Sequence, residues 1–168
     1  MSTFDHLWKN YPSKEEMQNT CRNVQPDGGN KPFDDYCSIM LSECFNRSNV
    51  TYSAKGSCWS HGGQKHILLA EKLAIGLKNN PPKNFGKLEK INPSNFQADL
   101  KNRIGVIFFK DYWQRGNEDF KNRTGDHIDL WNKTKITGGS MLYRSIIEFF
   151  GFVSDLNNSK EIWFWEVR

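Results

Sequence analysis

The chain has 168 residues, of which 25% are charged and 37% hydrophobic, and its formal net charge at pH 7 is +4. This profile is that of a folded globular chain, so we expect residues 1–168 to form a single domain and not a disordered chain. The weak positive charge is not concentrated in basic runs, and no apolar run approaches the ~20 residues that span a bilayer. We therefore expect no nucleic-acid partner and no membrane insertion.

The N-terminal segment predicts a short amphipathic helix. Phe4, Leu7, Trp8 and Tyr11 recur at helical spacing, and Pro12 follows them. The same segment has neither the charged region nor the apolar region of a Sec signal peptide, so we expect that it is not one.

A buried helix is predicted over residues 34–46, after a loop at residues 25–32. Its apolar residues recur at i, i+3, i+4 and i+7, and Asp34 and Asp35 offer capping carboxylates at its start. This places Cys37 at or near the first turn of the helix.

Another helix is predicted from His66 to about Leu77, after a Gly- and Ser-rich loop at residues 53–63. The proline pair that follows it ends the helix. Phe96 and Leu100 indicate a further short helix.

The second half of the chain has the patterns of strands. A continuous apolar run predicts a buried strand, and alternating patterns predict the others. The predicted strands are 104–109, 127–131, 134–137 and 161–167, with a polar loop at 111–126 and an apolar segment at 146–152 that fits either a helix or a strand. Helices followed by an antiparallel sheet make an α+β fold.

Cys37 and His127 are the strongest candidates for chemistry. A thiol at a helix N-terminus has its thiolate favoured by the helix dipole, and the free amides there can hold an oxyanion. A cysteine on an early helix and a histidine on a later strand is the papain-like order. The pattern alone also fits the alternative that Cys37 is a buried structural cysteine.

The other cysteines and two histidines allow further interpretations. His61 and His66, with Cys58, are potential metal ligands, but we find no standard zinc spacing and a fourth ligand would come from far away. The favoured interpretation is that neither histidine binds a metal, with His61 in a loop and His66 at the start of the following helix. Cys44 is expected in the core, and Cys21 could form a disulfide with Cys58 in an oxidising compartment.

Two motifs carry a family resemblance. Residues 36–46 (YCSIMLSECFN) and 125–132 (GDHIDLWN) resemble the nucleophile helix and the histidine strand of type VI secretion amidase effectors, family 4. Flanking segments agree in the right order over nearly the whole chain: residues 4–11, 28–30, 101–110 and 162–165.

The resemblance implies a papain-like (NlpC-type) cysteine peptidase fold, with N-terminal helices packed on an antiparallel sheet, in a single amidase domain. It implies a toxin against rival bacteria that cuts peptidoglycan stem peptides between D-glutamate and diaminopimelate. Cys37 would be the nucleophile and His127 the proton shuttle, with no cofactor and no metal. The implied partners are the stem peptide, a cognate immunity protein and the secretion apparatus, which would carry the protein from the cytoplasm into the target cell's periplasm.

The sequence departs from the family pattern at two places. Met40 stands where the family often has arginine, and residues 136–140 lack the aspartate that often follows the histidine. Asp129 shares a strand face with His127 and is the first candidate to orient its imidazole. The alternatives are a backbone carbonyl or the side chains of Asn132, Thr137 or Asp155.

Two other function classes stay open from the sequence. The missing aspartate suggests an inactive relative that binds the cell wall or a partner protein without cleaving it. A zinc-binding protein would follow if the cysteines and histidines held a metal.

Overall fold

The computed structural model describes residues 1–137 and 156–168. The predicted segment 146–152 and the candidate Asp155 lie outside these ranges. Within the described ranges, no helix is both long and apolar enough to cross a membrane. The elements are, in chain order, α1 Thr3–Lys9, α2 Lys14–Thr20, β1 Asn23–Val24, β2 Asn30–Lys31, α3 Cys37–Arg47, α4 Ala70–Asn79, β3 Glu89–Ile91, α5 Phe96–Asp99, β4 Ile104–Trp113, β5 Gly125–Asn132, β6 Lys135–Ile136 and β7 Glu161–Glu166.

The main sheet has the strand order β3-β7-β4-β5-β6, and every neighbouring pair is antiparallel. Phe108 of β4 packs into a core with α1, α3 and α4, whereas its neighbour Phe109 packs with α5 and Leu156. Since successive strand residues point to opposite faces, α1, α3 and α4 cover one face and α5 covers the other. This confirms the predicted α+β fold with N-terminal helices on an antiparallel sheet.

The helix that follows Pro12 was not foreseen from the sequence. Ser13 caps α2 by accepting a hydrogen bond from the Glu16 amide, but Met17 is the buried residue of this helix. One buried residue gives no amphipathic pattern, so spacing could not reveal it. The predicted loop at 25–32 also contains β2, which pairs with β1.

The prediction that His66 opens a helix is wrong. The backbone carbonyl of His66 accepts a hydrogen bond from the Cys58 amide, and Ile67 forms an antiparallel bridge with Ser57. This pairing keeps the segment extended, and the helix begins only at Ala70.

Strand β4 is longer than predicted and bulges close to His127. It pairs with β5 at Phe109 and again at Trp113, and the register shifts between them. At the shift Asp111 has a φ of 51°, and its amide donates to Oδ1 of Asp126. Bulges of this kind re-aim side chains next to active sites, and this one lies at the mouth of the cleft described below.

Candidate active site

Cys37 occupies the first turn of α3, as predicted, and only 8% of it is exposed. The N-cap residue is Tyr36, whose side chain makes no capping hydrogen bond. The carboxylate of Asp35, one residue earlier, accepts a hydrogen bond from the Cys37 amide through Oδ1 at 3.0 Å. Its other oxygen lies 3.5 Å from the Cys37 sulfur. The Cys37 amide, which we expected to be free to hold an oxyanion, is therefore already hydrogen-bonded to Asp35.

His127 and Asp129 lie two residues apart on β5 and contact each other. Nε2 of His127 is 3.3 Å from Oδ2 of Asp129, which is fully buried. Oδ1 of Asp129 accepts hydrogen bonds from the Leu130 amide at 2.7 Å and the Thr137 hydroxyl at 2.5 Å. The carboxylate is thus held from several sides, and it can fix the orientation of the imidazole.

The side chains of Cys37 and His127 form a hydrogen-bonded pair between α3 and β5. Burial and the Asp35 carboxylate raise the pKa of the Cys37 thiol, against the opposing effects of His127 and the Ile128 amide. Burial acts to lower the pKa of His127, but its contacts with Asp129 and Cys37 outweigh this effect and raise it well above the ordinary value.

The structure brings Asp129, and not Asn132, beside His127. Asn132 lies five residues farther along β5, which is about 16 Å at the rise of a strand. Thr137 contacts Asp129. Asp155 lies outside the described residues.

A cleft of about 570 Å³ opens at the start of α3. Cys37 lies on its wall, so the thiol can reach a bound molecule. The walls are formed by Phe33, Asp34, Asp35, Gly56, Leu68, Leu69, Ala70, Trp113, Arg115 and Gly116. The cleft thus joins an apolar surface to charged groups of both signs.

The sequence did not indicate that Tyr11 lies close to Asp129. The apolar spacing of the first helix included it, but α1 ends at Lys9 and the Tyr11 ring is packed against the core. Burial and the nearby Asp129 charge raise the pKa of Tyr11 well above its ordinary value. Its hydroxyl therefore stays protonated near the Asp129 carboxylate.

A second cluster lies apart from the cleft, at the end of α2. Sγ of Cys21 is 3.0 Å from Nε2 of His61 and 3.0 Å from Nδ1 of His66. Sequence reasoning considered both histidines with Cys58 and did not foresee that Cys21 would join them. All four cysteines are free thiols in the structure, including Cys21 and Cys58.

A sequence profile of the family "Type VI secretion system (T6SS), amidase effector protein 4", Tae4, matches residues 33–165. The chain belongs to the Tae4 family. This confirms the resemblance drawn from the two motifs, both of which lie inside the matched region. The comparison with curated proteins finds no match.

Solved Tae4 structures have the same fold. Two structures of the Tae4/Tai4 effector–immunity system from Salmonella typhimurium, one of them a selenomethionine variant, match with a TM-score of 0.56 and 15% identity. The match covers 99% of this chain and 96% of that chain. At this identity the likeness shows the fold alone.

The Asp35 contact can be tested by the reactivity of the Cys37 thiol. Asp35→Asn keeps an oxygen for the Cys37 amide and removes the negative charge near the sulfur. We expect the pKa of Cys37 to fall and its alkylation by iodoacetamide at pH 7 to become severalfold faster. Mass-spectrometric mapping after timed alkylation measures this rate.

Asp34→Asn is the matched control, because Asp34 lies on the same cleft but makes no hydrogen bond with Cys37 in the described part of the chain. It should leave the rate near that of the unaltered protein. An Asp35→Asn rate equal to or below that of Asp34→Asn would contradict the account.

Proposed function

We propose that this Tae4-family protein is a cysteine amidase that hydrolyses the amide bond between D-glutamate and diaminopimelate in peptidoglycan stem peptides. The observation that carries the proposal is the hydrogen-bonded pair of Cys37 and His127, backed by the buried carboxylate of Asp129. This is the arrangement of nucleophile, base and orienting group that acyl transfer requires.

In the first half of the reaction the Cys37 thiol transfers its proton to His127, and the sulfur attacks the amide carbonyl. Since Nε2 of His127 faces Asp129, Nδ1 is the nitrogen that takes the proton. The tetrahedral intermediate collapses as His127 returns this proton to the leaving amine of diaminopimelate. A thioester between Cys37 and the glutamyl carbonyl remains.

In the second half a water molecule attacks the thioester. His127 takes a proton from the water and returns it to the sulfur, so that the carboxylic acid leaves and the thiol is restored. The reaction needs only the substrate, water and the residues of this site.

The oxyanion of each intermediate needs donors at the start of α3. The first amides of a helix have no acceptor within the helix, and they point toward the N-terminal end. The Cys37 amide donates a hydrogen bond to Asp35, so the carbonyl oxygen of the scissile amide would displace the Asp35 carboxylate as substrate binds. The oxyanion would then form at that position during the attack. Displacement would also remove the charge that raises the pKa of Cys37.

The chemistry of the cleft supports a stem peptide as substrate. Glutamate and diaminopimelate are both dicarboxylic amino acids, so free carboxylates flank the scissile amide. Arg115 provides a cation on the cleft wall, and its Nε is buried without a hydrogen-bond partner among the described residues. A substrate carboxylate would satisfy that donor.

Membership of the Tae4 family supports the wider setting of the activity. We propose that the type VI apparatus delivers the protein into the periplasm of a rival cell. A cognate immunity protein would protect the producer by covering the cleft, and the matched solved structures are of such an effector–immunity system.

One observation favours the second candidate function, an inactive relative that binds the cell wall or a partner without cleaving it. The Cys37 thiol is buried, and its pKa is raised by that burial and by Asp35. If the pKa of Cys37 stayed raised when substrate bound, the thiol would remain protonated and would be a weak nucleophile.

Digestion of purified peptidoglycan separates the two functions. We expect the unaltered protein to release fragments cut between D-glutamate and diaminopimelate, and Cys37→Ala and His127→Ala to lower the rate by at least about 10³-fold. Chromatography and mass spectrometry of the released peptides measure both the rate and the bond cut.

Cys44→Ala is the matched control, since Cys44 lies on the same helix in the core and outside the cleft lining. It should retain the activity. Equal fragment release by Cys37→Ala would rule out the mechanism, whereas no release by any folded variant would favour the binding module.

The role of Asp129 predicts a loss of turnover with binding preserved. Asp129→Asn keeps the size and an acceptor oxygen but removes the charge that faces Nε2 of His127. We expect kcat to fall by about 10²-fold with KM nearly unchanged, because the effect acts through His127. Steady-state kinetics on a synthetic stem peptide measure the split; an unchanged kcat in a folded variant would exclude this positioning role.

The role of Arg115 predicts the opposite pattern. Arg115→Gln removes the cation and should raise KM for the stem peptide by about 10-fold, with a smaller effect on kcat. The comparison substrate is the same peptide with its free carboxylates amidated. If Arg115→Gln discriminates between the two peptides as strongly as the unaltered protein does, Arg115 does not bind a substrate carboxylate.

A further inference from the structure

The cluster at the end of α2 has the dimensions of a metal site. Nε2 of His61 and Nδ1 of His66 are 3.1 Å apart, and each is 3.0 Å from Sγ of Cys21. With Zn–N near about 2.0 Å and Zn–S near about 2.3 Å, ligand atoms of a tetrahedral zinc ion lie about 3.3–3.6 Å apart. A few tenths of an ångström of outward movement would give this triangle the size of one face of a zinc tetrahedron.

Cys21, His61 and His66 have too few hydrogen-bond donors for the short contacts among them. His66 uses Nε2 toward the Glu43 carboxylate at 2.7 Å, and His61 uses Nδ1 toward the Gly62 carbonyl at 3.0 Å. Carboxylates and carbonyls only accept, so the single N–H of each neutral ring is directed there. The other nitrogen of each ring then directs a lone pair toward the centre of the cluster. Three short contacts meet there, Cys21–His61, Cys21–His66 and His61–His66, but the Cys21 thiol offers the one proton that could be donated to them.

A cation at the centre resolves this arrangement. Outer hydrogen bonds to a carboxylate or carbonyl are what fix the tautomer of metal-binding histidines and leave the inner nitrogen free to ligate. Glu43 and the Gly62 carbonyl provide both of these bonds here. The set of two imidazoles and a thiol is one that zinc prefers.

Cys58 stands next to the cluster and offers a fourth ligand. Cys58 and Cys21 belong to the same buried core cluster. The Cys58 sulfur lies 3.1 Å from the Ser60 hydroxyl and would turn toward the other three ligands when the ion binds. The Cys58 amide bonds the His66 carbonyl at 2.8 Å, so Cys58 and His66 face each other across the base of the loop that carries His61. The four residues between His61 and His66 match the histidine half of a Cys₂His₂ zinc motif, although Cys21 and Cys58 are too far apart in the chain to complete that motif.

We propose that Cys21, Cys58, His61 and His66 bind one structural Zn²⁺ ion, with Glu43 and the Gly62 carbonyl as outer partners that orient the two histidines. This departs from the expectation, drawn from the sequence and the family resemblance, that the chain binds no metal. The proposal does not depend on the amidase activity.

The ion would stabilise the start of the helix that carries Cys37. The Cys21 carbonyl accepts a hydrogen bond from the Tyr36 hydroxyl at 2.6 Å, and Tyr36 directly precedes Cys37. Glu43 belongs to the same helix. The site would therefore connect the end of α2 and the loop around His61 to α3 at two points, Tyr36 just before the helix and Glu43 in its second turn.

Metal analysis and cobalt spectroscopy of the full chain, purified without a histidine tag, test the proposal. We expect about one zinc per chain and, after exchange for Co²⁺, sulfur-to-cobalt charge-transfer bands together with the visible bands of tetrahedral cobalt. Cys21→Ala and His61→Ala should lower zinc affinity by more than about 100-fold, and Glu43→Gln by about 10- to 100-fold.

Cys44→Ala and Cys37→Ala are the controls, since each removes a thiol outside the cluster and should leave the metal content and the spectrum unchanged. Cys58→Ala should roughly halve the charge-transfer intensity. An unaltered protein that binds no Co²⁺ or Zn²⁺ at micromolar concentrations would overturn the proposal, as would a Cys21→Ala protein that binds with the original affinity. Full charge-transfer intensity in Cys58→Ala would overturn the fourth ligand.

Discussion

The carboxylate of Asp129 is the constraint around which the site is built. A fully buried charge loses its hydration, which costs on the order of several kcal/mol unless polar partners replace the water. The Leu130 amide, the Thr137 hydroxyl and the His127 ring supply such partners. The hydrogen bonds that stabilise this one carboxylate therefore orient His127 on β5 and hold Thr137, the residue after β6, against Asp129.

The same carboxylate determines what Cys37 can do. It helps to raise the pKa of His127, so the ring can hold the proton that the thiol gives up. Burial and Asp35 oppose ionisation of the thiol. In the proposed mechanism substrate binding favours ionisation of the thiol, because the substrate carbonyl oxygen takes the Cys37 amide that Asp35 now occupies. Glu43 and Tyr36 connect the region of Cys37 to the Cys21, His61 and His66 cluster.

Local pattern predicted much of the fold and the main candidates for the site. Apolar spacing predicted the helix that begins at Cys37, and apolar or alternating runs predicted β4, β5 and β7. The period of a strand placed Asp129 on the same face as His127. These features depend on neighbours within a few residues, so a single sequence contains their signal.

The parts that were missed depend on contacts between distant residues. The extended conformation at His66 is stabilised by pairing with Cys58 and Ser57, which local helical spacing cannot register. Cys21 and His61 are 40 residues apart in the chain, so their contact depends on the tertiary fold. The contact of Asp35 with the Cys37 sulfur depends on side-chain placement at the helix start, where the sequence predicted only a cap.

The central claim is that a thioester on Cys37 lies on the path of cleavage, and partitioning with hydroxylamine tests it most directly. A synthetic stem peptide is cleaved with increasing hydroxylamine, and the products are quantified by mass spectrometry. A common acyl-enzyme predicts that glutamyl hydroxamate replaces the free acid in proportion to hydroxylamine, while diaminopimelate release does not slow. Diaminopimelate release with the free acid as the only partner product at every hydroxylamine concentration would contradict the account.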